Sequence, residues 1–266
     1  MKYLIIALTL ISTLPVMSQD FNEQIVVPLS SPSSRGTLQV GLVRGNIVIE
    51  GYSGKDVIIT ASSKESDCDG CHDHQKAAPD GMKRISSSAI ELSASENGNR
   101  VKIETNSWKR PINLTVQVPK NFDLKISTVH GDIQVSEING AMEVSATNGP
   151  MKFENISGSL ICNTGNGPIE ANFLKVTPNE PMSFVTLNGN VDITFPASVK
   201  ATAKMKSDQG EIFTDFDMAV SQPKPEKSSS GNYKVTINSW VYGSINGGGA
   251  EFTFKNMNGD IYIRSK

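Results

Sequence analysis

Apolar and polar residues alternate along short segments of this chain, and a glycine stands at the start of each segment. Glycines lie at positions 131, 140, 149, 158 and 167, an interval of nine residues. Each is followed by apolar residues at alternate positions, such as Ile133 and Val135 after Gly131. Such alternation is typical of a short β-strand with one buried face. The pattern predicts an all-β fold, and helix signals are nearly absent.

A longer period is superimposed on this one. At a spacing of 18 residues "STVHGDIQV" aligns with "SATNGPMKF", and "SEINGAMEV" aligns with "ENISGSLIC". Each half-repeat therefore stacks on the equivalent half-repeat of the next coil. We predict a parallel β-helix or β-solenoid with coils of about 18 residues and a narrow continuous core. Asn-Gly pairs favour sharp turns. The predicted structural turn glycines are Gly131, Gly140, Gly149, Gly158, Gly167, Gly189, Gly210 and Gly259.

The organisation of the chain follows from its two ends and two interruptions. Residues 1–18 combine one lysine, an apolar run and small residues before Gln19, which predicts a secretory signal peptide cleaved after Ser18. Residues 19–266 are predicted to form one β-solenoid domain, with polar loop insertions at about 62–84 and 219–232. No second long apolar run exists, so we expect no membrane span in the mature chain.

Charge limits the classes of partner that the chain can bind, and cysteine content limits how its fold can be stabilised. The chain has 25 basic and 27 acidic residues, a balance that does not favour nucleic acid or an anionic membrane. Three cysteines are too few for a disulfide scaffold in a chain of 266 residues. The core must therefore come from apolar burial, and Cys162 takes an inward position within it.

The stretch "SDCDGCHDHQ" has the highest density of residues that can bind a metal or form a disulfide. Cys68 and Cys71 can form a disulfide in an exposed loop, which is the reading we favour because export allows oxidation. Together with His72 and His74 they also suffice for a tetrahedral zinc site, or a copper site. The C-x-x-C-H spacing matches covalent haem c attachment, but the flanks lack the apolar residues that a haem pocket needs. No cofactor is expected, with zinc or copper as the alternative.

Two tryptophans form a second candidate feature. Trp108 and Trp240 each end an Asn-Ser-Trp triplet that follows a short alternating strand. They can stack on a ligand such as a sugar ring, or they can cap the hydrophobic core. No nucleophile motif or carboxylate ladder accompanies the repeats, so no catalytic residues are predicted.

The repeat segments "GNIVIEGYSGKDVIIT", "ISTVHGDIQV", "SATNGPMKF" and "INGGGAEFTFKNMNGDIYIRS" resemble the bacterial exported putative-adhesin family, whose domain of unknown function is built from β-strand repeats. The resemblance covers about residues 36–266. It implies a right-handed solenoid, a cell-envelope location and an adhesive or ligand-binding role. It supplies no catalytic residues, and the cysteine-rich loop lies outside its pattern.

We therefore expect a non-catalytic, exported binding or scaffold module of the bacterial cell envelope, located in the periplasm, at the outer surface or outside the cell. Its partner would be an envelope glycan or protein, and parallel strands open at either end would allow self-association. The alternatives are a transition-metal-binding envelope protein that uses Cys68, Cys71, His72 and His74, and a carbohydrate-active β-helix enzyme.

Overall fold

The computed structural model describes residues 21–63, 92–105, 110–221, 226–228, 234–236 and 240–266, and within these ranges the chain forms strands and no helix. The first strands are β1 (Phe21–Pro28), β2 (Gly36–Arg44), β3 (Ile47–Tyr52), β4 (Asp56–Ser63), β5 (Leu92–Asn97), β6 (Arg100–Thr105), β7 (Asn113–Pro119) and β8 (Phe122–His130). The central strands are β9 (Ile133–Ser136), β10 (Asn139–Asn148), β11 (Met151–Asn166), β12 (Ile169–Val176), β13 (Met182–Asn188) and β14 (Val191–Phe195). The last strands are β15 (Ala201–Gln209), β16 (Ile212–Thr214), β17 (Met218–Ser221), β18 (Glu226–Ser228), β19 (Lys234–Thr236), β20 (Val241–Ile245), β21 (Ala250–Asn258) and β22 (Ile261–Ser265).

Twenty strands form one continuous hydrogen-bonded sheet around one core, and we call its two branches sheet 1 and sheet 2, which share the long strand β11. Sheet 1 follows the order β5, β6, β2, β8, β10, β11, β13, β21, β15, β20 and β17. Sheet 2 follows the order β1, β4, β7, β3, β9, β11, β12, β14, β22 and β16. The described chain is thus all-β and solenoid-like. It holds no helical segment capable of spanning a membrane.

The central coils pair in parallel in the register that the sequence repeat indicates. Met142 of β10 pairs with Leu160 of β11, and Met151 pairs with Ile169 of β12, partners 18 residues apart. One coil later the offset is 22 residues, as in Ile169 opposite Val191. Beyond β14 the strands no longer stack in the order in which they occur in the sequence.

The last coils do not stack in chain order. Strands β21 and β22 lie directly on β13 and β14, and β15 and β16 lie beyond them. Gly189 and Gly210, which are successive turn glycines in the sequence, therefore do not lie in neighbouring coils. The neighbour of Gly189 is Gly259, since Asn188 pairs with Asn258 and Asn258 pairs with Gln209.

Antiparallel strands cover both sheets at one end of the parallel coils but only sheet 1 at the other. Sheet 2 ends there at β16, which pairs in parallel with β22, so the described chain keeps one of the open parallel edges expected from the sequence. At one end β4 and β1 extend sheet 2, and β5 extends sheet 1. At the other end β20 and β17 extend sheet 1. The chain reverses direction at these strands, a change that the glycine period does not encode.

A column of glycines fixes the distance between coils at the Asn-Gly corner. The backbone φ of Gly149 is +144°, and a Cβ atom there would lie 2.1 Å from the carbonyl oxygen of Gly131. Only glycine fits such a close backbone approach. The column comprises Gly45, Gly131, Gly149, Gly167, Gly189, Gly259 and Gly210, each stacked on the previous one. Gly140 and Gly158 instead lie inside β10 and β11 and stack on each other.

An asparagine ladder runs beside the glycine column. The Nδ2 atom of Asn166 donates to Oδ1 of Asn148 at 2.7 Å, and Asn188 donates in turn to Asn166 at 2.8 Å. Asn258 continues the ladder to Asn188 at 2.6 Å, and His130 occupies the same slot at its other end, with its Nδ1 atom 3.3 Å from Asn148. The repeated residue before each glycine therefore adds side-chain hydrogen bonds between coils.

The core changes composition along the solenoid. Leucine, isoleucine and valine dominate the first coils, where Phe122 and Phe153 are also buried, whereas a cluster of five phenylalanines lies in the later coils: Phe173, Phe184, Phe195, Phe252 and Phe254. Their rings pack closely, with centroids 5.1 Å apart for Phe184 and Phe254. The aromatic side chains lie where the coil lengthens, since a wider coil encloses more volume than aliphatic residues fill at native packing density.

The predicted interruptions lie only partly within the described residues. Ser62 and Ser63 end strand β4, and residues 64–84 lie outside the described ranges. In the second interruption, Ala219–Ser221 complete β17 and Glu226–Ser228 pair with Lys234–Thr236 as a hairpin. These described parts of the predicted loops are strands. The predicted signal peptide, residues 1–18, lies outside the described ranges and stays a prediction.

Replacing Gly149 by alanine should destabilise the fold by more than about 3 kcal/mol, because backbone strain of this kind alone costs roughly 1–3 kcal/mol and the new Cβ overlaps Gly131. Gly247→Ala is the matched control, since Gly247 also has a positive φ of 86° but no atom lies within 4 Å of its added Cβ. Guanidinium unfolding gives both free energies. Equal losses for the two variants would contradict the close-approach account.

Cys162 should be unreactive in the folded protein. Its side chain is 1% exposed, and burial raises the pKa of its thiol. In a Cys68→Ser/Cys71→Ser variant it is the sole cysteine. We expect no reaction with Ellman's reagent in native buffer and stoichiometric reaction in guanidinium. Rapid labelling of the folded variant would show that Cys162 is not in the core.

Candidate binding surface

Most of the residues singled out from the sequence lie beyond what the structure describes. Cys68, Cys71, His72 and His74 fall in the range 64–91, and Trp108 falls in the range 106–109. The metal, disulfide and haem hypotheses therefore stay predictions. Within the described ranges, no group of three or more histidine, cysteine, aspartate or glutamate side chains is arranged to hold a metal.

Trp240 lies at the end of the solenoid, just before β20, and is half-buried. The ammonium group of Lys204 lies 5.0 Å from the centroid of its ring, within cation–π range. The indole therefore lies against the ammonium group of a residue on β15 instead of standing free in solvent. Whether Trp108 occupies a comparable place stays a prediction.

The outer surface of sheet 2 brings together residues that are far apart in sequence. The third residue after each corner glycine points outward, and strand register places these residues in one row. In spatial order the row contains Gln134, Lys152, Glu170, Asp192, Tyr262 and Phe213. The row ends at the two aromatic residues.

Phe213 and Tyr262 form a stacked aromatic pair at the end of this row. Their ring centroids are 5.2 Å apart and the planes differ by 12°. Phe213 remains 43% exposed, although a phenylalanine of this kind is ordinarily buried. The Tyr262 hydroxyl donates to Asp260 at 3.0 Å, and this hydrogen bond raises the pKa of the phenol. The pair is thus a neutral apolar platform that is open to solvent on one side.

Arg264 links the platform to the polar part of the row. Its guanidinium donates from Nε and Nη2 to the two carboxylate oxygens of Asp192, at 2.7 and 2.8 Å. The same guanidinium lies 5.0 Å from the centroid of the Tyr262 ring. The bidentate pairing with Asp192 raises the pKa of Arg264 and holds both side chains in fixed positions.

A groove of about 320 Å³ lies beside the platform. Its charged lining consists of Lys152, Glu154, Glu170, Asp192 and Arg264, so two cations face three carboxylates. Lys152 pairs with Glu154 at 2.9 Å, which raises the pKa of the lysine. The near balance of charge disfavours a polyanion and equally a polycation as the occupant.

We name the groove and the aromatic pair together the aromatic–polar groove. It offers a stacking surface next to side chains that donate and accept hydrogen bonds in fixed directions. Asn172 adds an amide to the groove, and its side-chain oxygen accepts from Lys266. These features suit an uncharged, hydroxyl-rich ligand with apolar faces.

The sequence interpretation singled out the tryptophans and missed this groove. Its signal is visible in the repeat alignment, because "QGEIF" and "NGDIY" place Phe213 and Tyr262 at the same distance from glycine as Gln134, Lys152, Glu170 and Asp192. The two aromatic residues are 49 positions apart, and the parallel pairing of β16 with β22 brings them into contact. The out-of-order stacking of β22 on β14 places Arg264 beside Asp192.

Fold and surface define an all-β, solenoid-like protein with an extended outer row of polar and aromatic side chains. The chain belongs to the Toastrack DUF4097 family, whose profile matches residues 12–264. This confirms the resemblance stated from the repeat segments. None of the curated proteins matches the sequence.

Three solved structures are similar over most of their length, at low sequence identity. A putative cell adhesion protein of Clostridium sporogenes is 11% identical with a TM-score of 0.48, covering 93% of this chain and 100% of its own. A putative adhesin of Bacteroides fragilis is 8% identical with a TM-score of 0.31, covering 94% and 98%. A putative lipid binding protein of Parabacteroides distasonis is 11% identical with a TM-score of 0.33, covering 93% and 96%.

Proposed function

We propose that this protein is a non-catalytic, exported binding module of the bacterial cell envelope, adhesin-like in character, which binds an uncharged glycan in the aromatic–polar groove. The observation that carries the proposal is the exposed stacked pair of Phe213 and Tyr262 beside the bidentate pair of Arg264 and Asp192. A ligand that covers this aromatic pair would bury apolar surface that the fold leaves exposed to water.

A sugar ring suits both halves of the groove. Its C–H face is apolar and packs on an aromatic ring, while its hydroxyl groups need fixed donors and acceptors at the edge. Asp192, Arg264 and Asn172 are already held by hydrogen bonds, so little conformational entropy is lost when a sugar binds them. The row extends over several coils, which favours an oligosaccharide over a single sugar.

Export to the envelope is part of the same proposal. The apolar N-terminal segment of residues 1–18 supports it, as does the resemblance of the repeat segments to an exported family. We also propose that the solenoid winds right-handed on a basic coil of about 18 residues, as the family resemblance implies and as the offset between Met142 and Leu160 supports.

Phe213→Ala should weaken binding of N-acetylchitohexaose, a neutral glycan, by about two- to tenfold, since a lost aromatic stacking contact is worth roughly 0.5–1.5 kcal/mol. Leu187→Ala is the matched control, because Leu187 is an exposed apolar residue on sheet 1, away from the groove. Isothermal titration calorimetry measures both affinities.

Equal affinities for Phe213→Ala and the parent would remove the groove as the binding site. Incubation of the parent with the same glycan tests the enzyme alternative, and the appearance of new reducing ends would contradict a non-catalytic role.

The rival function is transition-metal binding by Cys68, Cys71, His72 and His74, favoured by the ligand types in that segment. We expect protein exported by its own host and purified without chelator to be metal-free and colourless, and equal to Cys68→Ser/Cys71→Ser in glycan affinity. Elemental analysis and the visible spectrum test this. Near-stoichiometric metal, or a haem band, present in the parent and absent from the variant would support the rival function.

A further inference from the structure

The corner of the solenoid opposite the glycine column changes partway along its length. In the central coils this corner is a tight turn, with Glu137 and Asn155 in the left-handed conformation at φ values of 58° and 53°. Three later connections are longer: residues 177–181 between β12 and β13, 196–200 between β14 and β15, and 246–249 between β20 and β21. These insertions open the corner instead of closing it.

The three long connections enclose a pocket of about 380 Å³, within the range of small-molecule sites. Its apolar lining includes Leu174, Val176, Val199 and Phe252. Leu174 is 53% exposed at the mouth, whereas Phe252 is buried at the floor. The pocket is therefore lined by apolar side chains from the core to the surface.

Hydrogen bonds hold the walls in place. The side-chain amide of Asn246 donates to the carbonyl oxygens of Ala197 and Val199, both at 2.8 Å, and so ties two of the connections together. The backbone N–H of Thr177 donates to Gly158 at 3.0 Å and anchors the third connection to the preceding coil. The pocket is thus formed before any ligand arrives.

Both charged residues that line the pocket are lysines. Lys175 and Lys200 flank the mouth, and no carboxylate lies among the lining residues. Within the described part of the chain, neither ammonium group takes part in an ion pair. This differs from the aromatic–polar groove, where each cation has an acidic partner. The pocket presents net positive charge around an apolar interior.

We propose that this corner pocket binds a small amphipathic carboxylate, of which a medium-chain fatty acid is the simplest example. The apolar tail would pack against Leu174, Val199 and Phe252, and the carboxylate would pair with Lys175 and Lys200 at the mouth. The proposal is independent of glycan binding, because the pocket lies on different residues around the corner of the solenoid.

Titration of the full-length protein with laurate, below its critical micelle concentration, tests the proposal. We expect saturable one-to-one binding by the parent, at least tenfold weaker binding by Lys175→Glu/Lys200→Glu, and weaker binding by Leu174→Ala. The control Lys55→Glu/Lys125→Glu makes the same change in net charge with exposed lysines elsewhere and should bind laurate as the parent does. Dodecyltrimethylammonium, with the same tail and a cationic head, should not bind the parent.

Two results would overturn the proposal. The first is the absence of saturable laurate binding by the parent. The second is equal laurate affinity for the parent and Lys175→Glu/Lys200→Glu at matched melting temperatures. Retained affinity of the Lys175→Glu/Lys200→Glu variant for N-acetylchitohexaose would show that laurate binding in the pocket and glycan binding in the groove are independent of each other.

Discussion

The structure depends on one close approach of backbone to backbone. At the Asn-Gly corner each glycine lies against the carbonyl group of the glycine in the neighbouring coil, with room for no side chain. The adjacent amide completes the contact, as when the Gly149 N–H donates to Asn166 at 2.8 Å. Because this contact recurs in coil after coil, it fixes both the spacing of the coils and their register. The asparagine ladder then reinforces the same corner with side-chain hydrogen bonds.

Fixed register at one corner has consequences for the rest of the coil. The residues that follow the glycine fall into straight rows, so Lys152, Glu170 and Asp192 stand side by side on the outer surface. The opposite corner is free to vary in length, since it carries no such column. Where it lengthens, the core takes in phenylalanines and the surface opens into a pocket beside Phe252. The geometry that repeats at the glycine corner aligns the outer row of the aromatic–polar groove. The variable length of the opposite corner opens the pocket, so one fold carries two different kinds of candidate site.

The sequence reveals the part of this fold that repeats. The alternation after Gly131, Gly149 and Gly167 predicts the central strands, their parallel pairing and the inward position of Cys162, because each depends on local pattern. The order of the last coils could not be predicted, since it depends on which strand pairs with β14 and the repeats near Gly210 and Gly259 are equally compatible with that place. The glycine signal does not distinguish the antiparallel end strands, because Gly54 follows Gly45 by nine residues and yet β4, which comes after it, runs antiparallel to β7. The groove was missed for the same reason, because its ion pair of Arg264 and Asp192 depends on β22 lying directly on β14.

The most direct test of this account is the distance between labels in the outer row, measured by double electron–electron resonance in a background without Cys68 and Cys71. Gln134 and Tyr262 are four strand intervals apart, about 19 Å, and Gln134 and Phe213 are five intervals apart, about 24 Å. The account predicts that the Gln134–Phe213 distance is the longer of the two by about one strand spacing. A shorter distance to Phe213 would mean that the coils stack in chain order, and it would contradict both the glycine column beyond Gly189 and the groove built on it.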